Sequence, residues 1–180
     1  LIGPSEASVA HVLELGSGPG FLAEHILEHC PGVARYTLLD FARPMLDSSA
    51  SRLARHAART HFVQADFKRE GWWDAVSRPI DAVVSLQAVH ELRHKRHAPW
   101  LYAQLRSLLT PGALFIVCDH LPEGAHTPRH RRLYLTEAEN HAALLGAGFA
   151  RVETVYTGHD MALYRAVAEL LAFIYFLEQG

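Results

Sequence analysis

The chain has 180 residues, 49% of them hydrophobic, enough for one domain with a buried core. Lys and Arg total 17 against 19 Asp and Glu, a net charge of −2, which speaks against a general polyanion binder. The two cysteines, Cys30 and Cys118, lie in apolar surroundings, so no disulfide framework is expected. With no signal peptide and no apolar run long enough for a membrane span, a cytoplasmic protein without membrane contact is expected.

Strand-like and helix-like segments alternate. The first strand candidate is AHVLEL (10–15), followed by a glycine-rich stretch and a helix over 21–30 with Leu22, Ile26 and Cys30 on one stripe. RYTLLD (35–40) is the second strand; Pro44 then opens a helix running towards Ala58. HFVQAD (61–66), IDAVVS (80–85) and ALFIVC (113–118) supply three more strands, with a helix around Trp100–Leu109 that stops at TPG. These apolar runs lack strict alternation, as suits strands buried on both faces of a parallel sheet. Thr136 and Glu139 form a capping-box pattern opening a helix that Gly146 and Gly148 close. Strands near 150–157 and 160–167, joined by TGHD, predict an antiparallel hairpin. The pattern predicts a doubly wound α/β sheet, mixed because of the terminal hairpin.

In such sheets ligands bind beyond the carboxyl ends of the strands, so LELGSGPG (13–20) marks the expected site. Glycines there allow unusual dihedrals and close approach of a ligand to the backbone. The dinucleotide fingerprint GxGxxG would need a glycine at Phe21, where a bulky side chain would obstruct helix–strand packing, and no Lys-Ser or Lys-Thr completes a phosphate loop. What remains, ELGSGPG, resembles the first motif of class I S-adenosylmethionine-dependent methyltransferases. YTLLDFARPML, VQADF, IDAVVSLQAVHEL and LLTPGALFIVCD follow in the order and spacing of that family's later motifs, so the resemblance covers about residues 10 to 167.

The resemblance implies a Rossmann-like, doubly wound, seven-stranded sheet of order 3-2-1-4-5-7-6 with the last strand antiparallel, and S-adenosylmethionine as cofactor. It places Glu14 at the cofactor's amino-acid end and Gly16, Ser17, Gly18 and Gly20 in its loop. Asp40 would accept the ribose hydroxyls, with Phe41 and Met45 following it in the motif. Asp66 would accept from the adenine amino group, Phe67 would border the ring, and Leu86 and Gln87 would line the cofactor. One domain over 1–180 is expected, with an N-terminal cap region missing. The apolar extension 169–180 is a candidate for docking on the core or for homodimer contact.

Methyl transfer to a small-molecule acceptor is an in-line displacement at a sulfonium, catalysed largely by alignment, with a base needed only where the acceptor carries a proton. His90 follows the fourth strand and His120 the fifth. In the implied sheet order both face one crevice, so they and Glu91 are the candidate bases. No metal is expected. His90, His94 and His97 have helical spacing, but Pro99 places the helix start near residue 97, and Asp119–His120 lacks further carboxylate ligands. The long connection 120–135 is a candidate lid, in which Arg129, Arg131 and Arg132 are available to an anionic acceptor. SLQA (85–88) replaces the Asn/Asp-Pro-Pro-Tyr/Phe of nucleobase amino-methylases, so no nucleic-acid acceptor is expected. The rival readings are a noncatalytic methyltransferase-like cofactor-binding or partner domain, a nicotinamide-dependent oxidoreductase, and an RNA or protein methylase.

Overall fold

The computed structural model describes residues 9–124 and 127–169. Seven strands form one sheet: β1 (His11–Leu15), β2 (Arg35–Asp40), β3 (Thr60–Gln64), β4 (Ile80–Leu86), β5 (Leu109–His120), β6 (Arg151–Gly158) and β7 (Met161–Ala168). Their order is β3-β2-β1-β4-β5-β7-β6, with the first five parallel and β7 antiparallel to both neighbours. The hairpin turn is made by His159 and Asp160, both with positive φ (51° and 57°), the twist that a two-residue hairpin loop requires.

Five helices complete the fold: α1 (Phe21–His29), α2 (Arg43–Arg52), α3 (Ala98–Leu108), α4 (Pro128–Arg131) and α5 (Glu137–Gly146). On one face α3 and α5 close a core of Leu13, Leu101, Tyr102, Leu105, Phe115 and Phe149. On the other, α1 and α2 pack Ala23, Leu27, Leu46 and Leu53 over Val12 and Leu38. Burying such side chains stabilises by roughly 1.5–3 kcal/mol each, which is why β1, enclosed on both faces, is apolar apart from His11 and Glu14. Thr136 caps α5 in a complete capping box: its Oγ1 accepts the Glu139 amide at 3.2 Å, and Glu139 Oε2 accepts the Thr136 amide at 2.9 Å.

Several boundaries differ from the expectations. The second helix ends at Arg52 and continues as a 3-10 turn (54–59). The third strand ends at Gln64, which leaves Asp66 in the loop beyond it. The stripe Leu22–Ile26–Cys30 is only half-buried. Ala23 and Leu27 face the core instead, in one cluster with Val12, Val33 and Leu38. Leu22 and Ile26 therefore line an apolar cleft of about 460 Å³ with Val84, Leu86, Ile116 and Leu163. Phe21 does not obstruct packing as expected. It is 62% exposed, with the Arg52 guanidinium 3.7 Å above its ring. The tight contact falls one residue earlier, at Gly20 (φ 83°), where a Cβ would stand 2.9 Å from Ser49 Cβ. The extension 170–180 lies outside the described residues.

Candidate active site

The loop between β1 and α1 is held from both sides. The amides of Gly16 and Ser17 donate to the Leu39 carbonyl at 2.8 and 3.1 Å. From α2, Ser49 Oγ donates to the Gly18 carbonyl at 2.9 Å and Arg52 Nε to the Pro19 carbonyl at 2.9 Å. Gly16 has φ 66°, and a Cβ on it would lie 2.5 Å from Ala88 Cβ, so only glycine lets this loop meet the one after β4.

Asp40, at the end of β2, is fixed by two backbone donors. Gly18 N–H reaches Oδ2 at 2.9 Å and Ala42 N–H reaches Oδ1 at 2.8 Å. Each oxygen keeps a second lone pair, so the carboxylate still has two acceptor directions for a ligand's hydroxyls. Gly16, Asp40, Phe41, Asp66, Phe67 and Gln87 line one cavity of about 100 Å³, together with Lys68, Ala88 and Glu91. Asp66 Oδ1 accepts the Lys68 amide at 3.1 Å, a local turn that fixes its carboxylate. Lys68 Nζ stands 5.1 Å from the centroid of the exposed Phe41 ring. Ligand pockets commonly enclose ~300–1,000 Å³, so this cavity has room for only part of a ligand of that size.

Not every expected cofactor residue reaches this cavity. Gly18 and Gly20 stay in the loop that borders it, while the Ser17 hydroxyl is buried with no hydrogen-bond partner among the described residues. Met45 is exposed on the first turn of α2 and is not part of the lining. Leu86 faces the apolar cleft on the α1 side together with Val84, two residues earlier on the same face of β4, and Gln87 follows the strand with φ 54°. Glu14 sits beneath the loop rather than in the cavity. It is 2% exposed, and the Tyr36 hydroxyl donates to its Oε2 at 2.9 Å. Burial raises its carboxyl to about 8 against the opposing Tyr36 bond, with the Asp40 charge adding to the rise.

The candidate bases lie beside the cavity. His90, in the 3-10 turn after β4, is clamped by Asp119 of β5, which accepts its backbone N–H at 3.0 Å and lies 2.8 Å from its Nδ1. An ionised carboxylate only accepts, so Nδ1 carries the proton and Nε2 keeps a free lone pair in the neutral ring. The Asp119 bond raises the His90 pKa above its ordinary value, against partial burial, with the Asp119 and Glu91 charges adding. Glu91 Oε1 lies 3.7 Å from Nε2. The His120 ring is 5.6 Å from that of His90, and Tyr134 touches both, at 5.8 and 5.2 Å between centroids. The sequence alone did not single out Asp119 as the partner of His90, or Tyr134 at all. Asp119 is signalled only by its place at the end of an interior strand, and Tyr134 by nothing local. His90 and His94 do not share a helix, since separate 3-10 turns span 89–92 and 95–97. Among the described residues no group of three His, Cys, Asp or Glu side chains is placed to hold a metal ion.

A sheet of this order, with a glycine loop after β1 and acids ending β2 and following β3, is the fold of the class I S-adenosylmethionine-dependent methyltransferases. The methyltransferase domain family model matches residues 12–112, and the chain belongs to that family, whose cofactor is S-adenosylmethionine. The residues present fit that group: a paired-acceptor carboxylate at Asp40, a second acid at Asp66 and an unobstructed Gly18 face with nothing within 4 Å. Among curated relatives, the trans-aconitate 2-methyltransferase of Paracidovorax citrulli is 31% identical over 127 residues, 71% of this chain and 44% of that protein. The malonyl-[acyl-carrier protein] O-methyltransferase of Magnetococcus marinus is 36% identical over 78 residues, 43% of this chain and 27% of that protein. The chain thus spans less than half the length of these relatives. In fold it is similar to a methyltransferase from Aquifex aeolicus, with TM-score 0.70, 18% identity, and 92% and 85% of the two chains covered. It is also similar to human N-acetylserotonin methyltransferase, solved with S-adenosylmethionine, with TM-score 0.67, 19% identity, and 89% and 48% covered. Among the described residues no helix is long and apolar enough to cross a membrane.

Proposed function

We propose that this chain transfers the methyl group of S-adenosylmethionine to a small-molecule acceptor, with Asp40 holding the ribose hydroxyls and Asp66 and Phe67 the adenine. The observation that carries this reading is the Asp40 carboxylate, pinned by Gly18 and Ala42 and opening into a cavity it shares with Asp66. Bound S-adenosylmethionine supplies an electrophilic methyl on a sulfonium that is already a good leaving group, so the chain's contribution is alignment and exclusion of water. His90 is the base for an acceptor that arrives protonated: Asp119 holds its tautomer and leaves Nε2 to take the proton as the acceptor atom attacks. His120 and Tyr134 pack against that ring and limit its rotation. The named relatives act on trans-aconitate and malonyl-[acyl-carrier protein], which supports an acid as acceptor here.

Thermal unfolding with S-adenosylhomocysteine tests the cofactor half. At a hundredfold its dissociation constant a ligand stabilises by about 2.7 kcal/mol, roughly 5–10 °C for a chain of this size. Asp40→Ala should abolish that shift while remaining folded. An unchanged shift in Asp40→Ala removes Asp40 from the site, and the absence of any shift in folded wild-type protein overturns the reading.

A further inference from the structure

Two basic runs that are distant in the chain meet beside His90. The Lys95 amide donates to the Arg132 carbonyl at 2.8 Å, tying the segment after α4 to the turn after His90. Between them lies a cavity of about 250 Å³ lined by Arg93, His94, Arg132 and Leu133, with no carboxylate in its wall among the described residues. Neighbouring Lys95 is neutralised by Glu139, at 2.6 and 2.7 Å. Arg93 is not matched in this way. Its side chain is 72% exposed and only reaches Glu91 at 3.7 Å. Among the described residues no carboxylate lies within 4.0 Å of the Arg132 guanidinium.

His94 completes a donor set. Its Nδ1 accepts the Arg96 amide at 3.1 Å, so the neutral ring carries its proton on Nε2 and offers a donor. Desolvation, and then the charges of Arg96, His97, Arg132 and Lys95, hold its pKa below the usual value. The lining is tied through the backbone to the candidate base. The Arg93 amide donates to the His90 carbonyl at 3.1 Å, and Leu133 precedes Tyr134, whose ring packs on His90 and His120.

We propose that this cavity is an oxyanion subsite for the acceptor, in which the Arg93 and Arg132 guanidinium groups, with His94, hold a carboxylate or phosphate while another atom of the acceptor faces His90. Guanidinium forks match both oxyanions, and two forks around one small cavity, Arg132 without a carboxylate within 4.0 Å among the described residues and the exposed Arg93 paired only with Glu91 at 3.7 Å, favour a single bound anion. The proposal rests on the methyl-transfer reading for the acceptor's role, although binding at the cavity can be measured without turnover.

The experiment is calorimetric titration, at low ionic strength, of the chain saturated with S-adenosylhomocysteine. The probes are citrate, inorganic phosphate and the neutral triethyl citrate, because exposed charges are screened by salt. Citrate or phosphate should bind saturably, and the tighter of the two identifies the oxyanion class; triethyl citrate should not bind. Arg93→Gln and Arg132→Gln should each weaken binding about tenfold, whereas Arg43→Gln on α2 should not. Each variant should keep its thermal shift with S-adenosylhomocysteine. No saturable binding of either anion to wild type, or undiminished binding to the double variant, overturns the proposal. Loss of S-adenosylhomocysteine binding in the arginine variants also overturns it, since the cavity would then serve the cofactor. Anion binding by a wild-type chain that ignores S-adenosylhomocysteine would instead sink the methyl-transfer reading and leave the subsite standing.

Discussion

Replacing Glu14 by Gln should make the protein more stable in alkali, although it alters a buried polar residue. Glu14 is 2% exposed beneath the glycine loop, and its carboxyl is raised by burial from 4.5 to about 8. The folded chain therefore binds this proton more tightly than the unfolded chain does. Stability from this group is complete below about 4.5, and it falls as pH rises until the folded carboxyl ionises near 8. The gap corresponds to roughly 5 kcal/mol between the two limits. Glutamine is close in shape, still accepts the Tyr36 hydroxyl and does not titrate. The two proteins should match within about 1 kcal/mol at pH 5, and Glu14→Gln should be more stable by about 3–5 kcal/mol at pH 9. Urea unfolding at intervals across that range measures the difference, provided the m-values agree. Parallel stability curves for the two proteins would refute the reasoning, because they would mean that Glu14 is ionised in the fold or titrates as it does in the unfolded chain.

Gly16→Ala should cost at least about 3 kcal/mol, since it combines a positive φ with a Cβ 2.5 Å from Ala88, whereas Gly18→Ala, with open space around it, should cost about 1–2 kcal/mol; denaturant titration of both variants gives the contrast. Thr136→Ala removes half of the α5 capping box and should lower stability by about 1 kcal/mol, read as a fall in Tm of roughly 2–4 °C. For a protonated acceptor, kcat/KM should rise with pH through the His90 pKa. Asp119→Asn removes the partner that raises that pKa, so the limb should move to lower pH while the plateau falls; an unmoved limb would separate the titration from His90.

Much of the architecture is written in local pattern. Alternation of apolar runs with helical stripes, and glycines directly after the first run, suffice for a doubly wound sheet because each depends on neighbours a few residues away. Local pattern reads Asp40 and Asp66 as acids ending apolar runs, and they lie at the end of β2 and in the loop after β3, but their assignment to a ligand comes from the resemblance to the methyltransferase motifs. Side-chain direction at strand ends was not legible. β4 runs one residue further than expected, to Leu86, which shares the cleft of Val84, while Gln87 lies beyond the strand and lines the cavity of Asp40. No periodicity reports where a strand stops. Phe21 was misread because the close helix approach depends on where Ser49 of α2 packs, 28 or 29 residues further on, and not on the loop itself. The Asp119–His90 clamp and the meeting of Arg93 with Arg132 span 29 and 39 positions of the chain. Local sequence determined which residues were available to the site. Only the pairing of β4 with β5, and the return of the segment after α4, decided which of them touch, because such contacts follow from sheet order and packing rather than from sequence spacing.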